Sequence, residues 1–440
     1  MLTKQDILEL VEDEDVRFIR LQFTDMLGHM KNMAITNSKL LDALDNRCVF
    51  DASSVEGMTD SEDSDLYLYP DLDSFTIFPW RPHQGKVARL ICDLYTADGK
   101  PVKNDPRYVL KRTLKEAEEM GYSFNVGPKC EFFLFNTDDS GEPTMTANDN
   151  AGYFDLAPLD NGENCRRDIC LTLEEMGYVI ESSHHEKAPG QHEIVFRYDN
   201  ALTTADKIVT FRTVVKTLAR RNGMHATFMP KPKADECGSG MHLAMSLEKN
   251  GKNVFYSADG KLSQIGYKFI AGLLKYTSEM VCITNPIVNS YKRFVSGYDA
   301  PCYISWSENS KSLLIRIPTA NKPENTRIEL RSPDSTANPY LAIAACLKAG
   351  LKGIKENIEL PPAIDSNIYN MSAAEQKAMN GKMFPINLNE AVEIAKKSEF
   401  ITELLGEDFK QKYLAEKKNE YSEYRKCISK WEIDKYFIQY

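Results

Sequence analysis

Hydrophobic and polar positions alternate with period two through the first hundred residues. Val16-Arg17-Phe18-Ile19-Arg20-Leu21-Gln22-Phe23 reads as a strand, and Asp25-Met26-Leu27-Gly28 reads as a turn into a second one. Ala88, Leu90, Cys92 and Leu94 share one face of another strand, closed by Asp98-Gly99. Gly99-Lys100-Pro101 then predicts a boundary, dividing the chain into units 1–100 and 101–440. Beyond it the period lengthens. Asp105 as cap, Pro106 at the first helical position and Gly121 as stop mark a helix. Thr204 is expected to cap a long helix reaching Asn222-Gly223, and Asn338-Pro339 to open another that ends near Gly353, weakened at Gly350. The last eighty residues read as mostly helical and charged.

Several later strands carry charge where a core strand is apolar. In Arg327-Ile328-Glu329-Leu330-Arg331, alternation puts two arginines and a glutamate on one face and Ile328 and Leu330 on the other. By itself that is the pattern of a half-exposed edge strand. It recurs, however. Met241, Leu243, Met245 and Leu247 oppose His242, Ala244 and Ser246; Arg316 stands between Ile315 and Ile317; and Lys129, Glu131, Phe133 and Phe135 share a face. The densest polar cluster runs from Glu181 to Glu193, with carboxylates on both sides of Pro189-Gly190, the pattern either of a hairpin with solvated charges or of a hard-cation site. Carboxylate oxygens with at most one imidazole suit magnesium or manganese better than zinc. Arginines facing such a cluster bind carboxylate or phosphate through bidentate forks. Together these are the parts needed for ATP-driven activation of a carboxylic acid.

Composition narrows the class further. The 440 residues are 42% apolar and 27% charged, with a formal net charge of −10, an ordinary globular balance. The acidic excess argues against a dedicated nucleic-acid binder. The apolar run Leu341–Leu347 is stopped by Lys348, far short of a membrane span, and the N-terminal residues lack the pattern of a signal peptide. Ten cysteines without a CxxC pair are expected to be reduced thiols of a cytoplasmic protein. Walker-type, GxGxxG and HExxH motifs are absent from the sequence.

Ordered motifs along the chain carry a resemblance. They are Phe50-Asp51-Ala52-Ser53-Ser54-Val55-Glu56-Gly57, Tyr69-Pro70-Asp71-Leu72, Glu131-Phe132-Phe133-Leu134-Phe135, His184-His185-Glu186, Gly190-Gln191-His192-Glu193, Gly238-Ser239-Gly240-Met241-His242, Asn289-Ser290-Tyr291-Lys292-Arg293 and Arg327–Asp334 leading to Asn338-Pro339. With these the chain resembles type I glutamine synthetase, alpha subtype, over essentially its whole length. The resemblance implies an α+β fold: an N-terminal β-grasp domain and a larger catalytic domain with a curved antiparallel sheet and flanking helices. It implies a homo-oligomer, a dodecamer with active sites between subunits. The implied reaction joins glutamate and ammonia at the expense of ATP, through a γ-glutamyl phosphate. Mg2+ or Mn2+ is the implied cofactor, with neither nucleic acid nor membrane as partner.

Residue by residue, the resemblance implies Glu131, Glu186 and Glu193 as ligands of a first metal and His242 and Glu329 as ligands of a second. Arg293 and Arg331 correspond to arginines holding glutamate and the transferring phosphoryl group, and Gly238 lies in the glutamate-binding segment. Glu181, Tyr198, Ser246 and Arg316 fall at nucleotide-binding positions. Asp51, with Ser54 beside it, corresponds to the residue that attracts ammonium and takes its proton, across the subunit boundary.

Four site positions depart from the family pattern. Lys129 replaces the first carboxylate of a Glu-x-Glu pair, a change of two charge units, and is expected to fill the second cation's place. Cys237 replaces an asparagine, Asp299 a glutamate of the flap, and Lys311 an arginine. Outside the site, Asp60 replaces an arginine tied to feedback, so altered inhibition by glutamine is expected. The departures leave two further readings open: a catalytically impaired paralogue with a regulatory or co-assembly role, and a γ-glutamyl ligase using another amine.

Overall fold

The computed structural model describes residues 2–58, 64–81, 84–257, 260–295, 297–308, 310, 313–320, 322–364 and 383–440. Lys311 and Asp60 lie outside the described residues.

The N-terminal part holds strands β1 (Val16–Thr24), β2 (Met30–Thr36), β3 (Val49–Asp51), β4 (Asp65–Ile77) and β5 (Lys86–Tyr95), with helices α1 (Lys4–Asp13) and α2 (Leu40–Leu44). The strands form one sheet in the order β2-β1-β5-β4-β3. The central pair β1 and β5 is parallel and the other pairings are antiparallel. Ala88, Leu90, Cys92 and Leu94 face a core shared with Ile7 and Val11 of α1 and with Leu40 and Leu44 of α2. This is the expected β-grasp unit, a mixed sheet closed by short helices over its own core.

A larger sheet follows, built on the fifteen-residue strand β6 (Ser123–Thr137). Its partners are β7 (Pro143–Ala147), β8 (Ile180–His185), β9 (Gln191–Phe196), β10 (Asp199–Asn200), β11 (Met224–Thr227), β12 (Met241–Lys249), β13 (Lys252–Asn253), β14 (Trp306–Ser307), β15 (Ile315–Arg316) and β16 (Ile328–Leu330). The main path runs β14-β15-β16-β12-β6-β9-β8. Every pairing is antiparallel except β14 with β15. The segment around Glu329 is therefore an interior strand, paired on both sides, and not an edge.

One face of this sheet carries Ile328, Leu330, Met241, Leu243, Met245, Cys130, Phe132, Ile194 and Phe196 into the main core. Helices α3 (Pro106–Glu119), α4 (Glu163–Glu175), α5 (Ala201–Arg221), α6 (Gln264–Thr284) and α7 (Pro339–Lys355) contribute buried residues to the same core. Burying one face fixes the register, because a slip of one residue would expose the whole apolar set. The opposite face is thereby committed to the charged residues.

The α3 signals act as expected: the Asp105 side chain accepts from the Arg107 N–H, and Gly121 takes φ +82°. The cap of α5 is Asn200, whose side chain accepts from the Thr203 N–H. Thr204 instead lies inside the helix and donates its hydroxyl to the Val126 carbonyl at 2.9 Å. Helix α7 runs through Gly350 and Gly353 to Lys355. A Cβ on Gly353 would fall 2.1 Å from the Lys268 carbonyl oxygen, and one on Gly350 2.1 Å from the Phe269 ring. These glycines let α7 lie against α6; they do not end the helix.

Arg107 of α3 ties the N-terminal sheet to helix α5. Its buried guanidinium donates to Asp71 of β4 at 2.6 Å, to Asp93 of β5 at 2.7 Å, and to both carboxylate oxygens of Asp206 in α5.

Candidate active site

Strand pairing assembles the site in rows. Glu131 on β6 stands opposite Glu193 on β9, which stands opposite His184 on β8. One step along, His242 on β12 is opposite Lys129 on β6, and Val195 continues that row. Beyond it, Glu329 on β16 lies between Ala244 and Arg316. Equal parity puts all these side chains on the face away from the core.

The rows divide by charge. Glu131, Glu193 and His242 bring ligand atoms within 4.8 Å of one another, and so do His184, Glu186 and Glu193. Glu193 is common to both groups. Among the described residues, no lysine or arginine nitrogen lies within 4 Å of Glu131, Glu186 or Glu193; their near partners are imidazoles, with His184 Nε2 at 3.1 Å from Glu186 and His242 Nε2 at 4.0 Å from Glu131. Burial, then Glu186 and Glu193, push the Glu131 carboxyl up to about 8. Burial also raises Glu193, with Lys129 working against the rise. His242 is held far below the usual histidine range by burial and then by Arg331. Two buried acids, Glu131 and Glu193, and the half-buried Glu186, with no lysine or arginine nitrogen within 4 Å among the described residues, are a donor set of hard oxygens that fits a divalent ion.

Glu329 has the opposite surroundings. Lys129 Nζ is 3.2 Å from one oxygen, Arg331 NH1 2.8 Å from the other, and Arg316 Nε 3.9 Å away. Burial works to raise this carboxyl, but His242, Lys129, Arg331 and Arg316 together hold it well below the ordinary range.

Backbone features hold the cluster in place. Glu131 Oε2 accepts from the Gly240 N–H at 2.8 Å and from Gln191 Nε2 at 3.1 Å. A side chain at Gly240 would collide with Arg293 NH2, 2.6 Å from the would-be Cβ. Arg293 is locked by the Ser332 carbonyl at 2.6 Å and the Arg331 carbonyl at 3.0 Å. Behind the β8–β9 hairpin, His185 bonds Asp149 at 3.0 Å, and Arg166 bonds Asp160 at 2.6 Å and His192 at 2.9 Å. That second acid–histidine cluster has Arg166 as its cation and serves as a buttress.

Glu181, Tyr198 and Arg316 line one cavity of about 440 Å3, together with Arg327, Lys129 and Glu329. Ser246 is buried behind Tyr198 and bonds its hydroxyl. Gly238 offers its carbonyl to Gln191 at 3.1 Å. Cys237 packs against Phe133, Phe135 and Ala188, and burial pushes its thiol up to about 11. Asp299 sits at φ +60° and pairs with Lys187, next to Glu186.

Asp51 and Ser54 lie apart, on the N-terminal sheet and its following turn, where Asp51 accepts from the Ser53 N–H at 2.9 Å. Among the described residues no hydrogen bond or ion pair ties either to the acidic cluster. Gln191 and Lys187 are positioning residues that the sequence alone did not single out. Both stand inside the motif around Pro189-Gly190, which was the one available signal.

A β-grasp unit joined to a large antiparallel sheet with an acidic, cation-ready face defines a class, and comparisons with known proteins place the chain in it. Residues 15–97 match the glutamine synthetase β-grasp domain and residues 103–436 the glutamine synthetase catalytic domain. Glutamine synthetase of Clostridium saccharobutylicum is 54% identical over 440 residues, covering 100% of this chain and 99% of that protein. That of Staphylococcus aureus is 51% identical at the same coverage. Among solved structures, the ADP complex of GmaS superposes with a TM-score of 0.89 at 30% identity, covering 98% of this chain and 99% of that one. Plasmodium falciparum glutamine synthetase superposes with a TM-score of 0.88 at 25% identity and 99% coverage of both. The chain belongs to the glutamine synthetase family.

Proposed function

We propose that the protein is a glutamate–ammonia ligase: ATP + glutamate + ammonia → ADP + phosphate + glutamine. The observation that carries this reading is the two ligand groups that share Glu193, Glu131–Glu193–His242 and His184–Glu186–Glu193, with Lys129, opposite His242 in the strand pairing, lining the cavity that also holds Glu181, Tyr198 and Arg316. Glu131, Glu186 and Glu193 would hold a divalent cation, Mg2+ or Mn2+, which would supply positive charge to neutralise the transferring phosphoryl group. Glu181, Tyr198 and Arg316, with Ser246 behind Tyr198, receive ATP; the ADP carried by GmaS supports a nucleotide there. Arg293 and the Gly238 segment hold the glutamate carboxylates. Arg331, whose Nε is buried without a partner among the described residues, offers a donor to the phosphoryl oxygens. Phosphoryl transfer asks mainly for such positioning and charge neutralisation.

The amine step needs a carboxylate that attracts ammonium and accepts its proton. Asp51 of the partner subunit takes that part, with Ser54 of the partner subunit beside it, in a homo-oligomer proposed as a dodecamer. Asp299 closes over the site from its contact with Lys187. Lys311 and Cys237 complete the substrate contacts, with units 1–100 and 101–440 as the two domains of a cytoplasmic enzyme. Among the described residues no helix is long and apolar enough to cross a membrane.

The test is ATP-dependent product formation with glutamate and either ammonium or a panel of small primary amines. Glutamine formed with ammonium, one phosphate per glutamine, is the expected result. Product only with another amine would move the assignment to a different γ-glutamyl ligase, and no product with any amine would leave a non-catalytic family member.

A further inference from the structure

The site separates its charges into two unlike halves. On one side stand Glu131, Glu186 and Glu193, with imidazoles as their nearest basic partners. On the other, a single carboxylate, Glu329, is met by three cations: Lys129 at 3.2 Å, Arg331 at 2.8 Å and Arg316 at 3.9 Å. His242 stands opposite Lys129 in the strand pairing, and Lys129 reaches across to Glu329, which is opposite Ala244 two residues further along the same strand. The first half is electrostatically incomplete without a divalent ion. The second is already filled: an oxygen that would ligate a metal is spent on an ammonium, and an incoming divalent ion would be repelled by it at contact range.

Lys129 is not sealed away. Its side chain keeps 32% of its surface exposed. It lines the same cavity as Glu181, Tyr198, Arg316 and Arg327. An ammonium fixed at its base by Glu329 and open to that cavity is a point charge suited to a phosphate oxygen.

Resting on the proposed function, we infer that Lys129 takes the place of a second divalent cation, so that each subunit binds nucleotide with one divalent metal, and that the Lys129 ammonium contacts the polyphosphate directly. The residues present fit one metal around Glu193, which the Glu131–Glu193–His242 and His184–Glu186–Glu193 groups share, and do not fit a second at Glu329, whose oxygens are met by Lys129, Arg331 and Arg316. The nucleotide is then held by Lys129, Arg316 and Arg327 where a metal bridge would otherwise stand.

Counting bound Mn2+ tests this on the full-length assembled protein saturated with ADP, by electron paramagnetic resonance with calorimetry as a cross-check. The wild type is expected to hold one tight Mn2+ per chain. Lys129→Glu is expected to hold two, the second tighter than in the wild type by on the order of a hundredfold or more. Lys129→Met, which keeps the stem and drops the charge, is expected to weaken ADP by roughly tenfold, the loss of one charge-assisted contact. Circular dichroism and assembly size confirm that each variant is folded. If Lys129→Glu fails to fold, the wild-type count and the ADP affinity of Lys129→Met decide. Two tight Mn2+ per wild-type chain overturns the inference and leaves the proposed function standing. A folded Lys129→Glu that still holds one also overturns it. A wild type that binds neither Mn2+ nor ADP sinks the proposed function itself.

Discussion

Replacing Gln191 by leucine removes a positioning residue without touching any carboxylate. Gln191 is buried at 1% exposure. Its amide makes three bonds: Nε2 to Glu131 Oε2 at 3.1 Å, Nε2 to the Gly238 carbonyl at 3.1 Å, and Oε1 from the Ala188 N–H at 3.2 Å. It thus links the Glu131 carboxylate, the Gly238 segment proposed to hold glutamate, and the hairpin turn. Leucine fills a similar volume but leaves a buried carbonyl and a buried N–H unpaired. Each such loss costs about 1–3 kcal/mol. Spread over a chain of this size, a total of about 2–6 kcal/mol lowers Tm by only about 2–7 °C, so the protein stays folded at assay temperature. Partners that orient a metal ligand typically carry about 10–100-fold in metal affinity. The Glu131 carboxylate keeps the Gly240 N–H, so the lower part of that range is expected, near 1.4 kcal/mol. Mn2+ titration of Gln191→Leu is therefore predicted to show about tenfold weaker binding, with a raised KM for glutamate through the freed Gly238 segment. A folded variant whose Mn2+ affinity and glutamate KM both match the wild type would refute the reasoning.

Three further outcomes follow. In the metal-free protein, burial and the neighbouring acids raise Glu131 to about 8, so it carries a proton at neutral pH. A cation must displace that proton, and Mn2+ affinity is predicted to rise with pH up to about 8 and level off above it, with proton release visible by calorimetry in buffers of different ionisation heat; a flat profile from pH 6 to 8 would contradict this. Arg107→Ala strips a buried cation from Asp71, Asp93 and Asp206, and is predicted to cost about 3–5 kcal/mol, read as a Tm fall of several degrees, because the acids stay behind in the interior. Gly353→Ala drives a methyl group against the Lys268 carbonyl of the facing helix. It is predicted to destabilise by about 1–3 kcal/mol, where ordinary helix propensity alone would make alanine the better residue.

Period-two patterning made the site face legible, since Ile328 and Leu330 must point one way and Glu329 the other. It located His242, Lys129 and Glu131 on strand faces but not their alignment across strands. That alignment depends on pairings between segments far apart in sequence. Lys129 meets Glu329 two hundred residues away, and only the charge pattern with the family resemblance hinted at that contact. Gln191 stood inside a matching motif, but its role could not be read, because its partners are Glu131 and Gly238. Local signals succeeded where the chemistry was local, as with Asp105-Pro106. They misled where tertiary packing won: the Thr204 hydroxyl was drawn inward to Val126, leaving the cap to Asn200. Gly350 and Gly353 look like helix breakers in sequence, but they are the flat surface that close packing of α6 and α7 requires.

The central claim is that ATP activates the side-chain carboxylate of glutamate before the amine arrives. Glutamate carrying 18O in its γ-carboxylate tests it directly. Direct phosphorylation followed by displacement moves one labelled oxygen into every phosphate released, and that is the predicted result. Phosphate released without label, in step with product, would contradict the account.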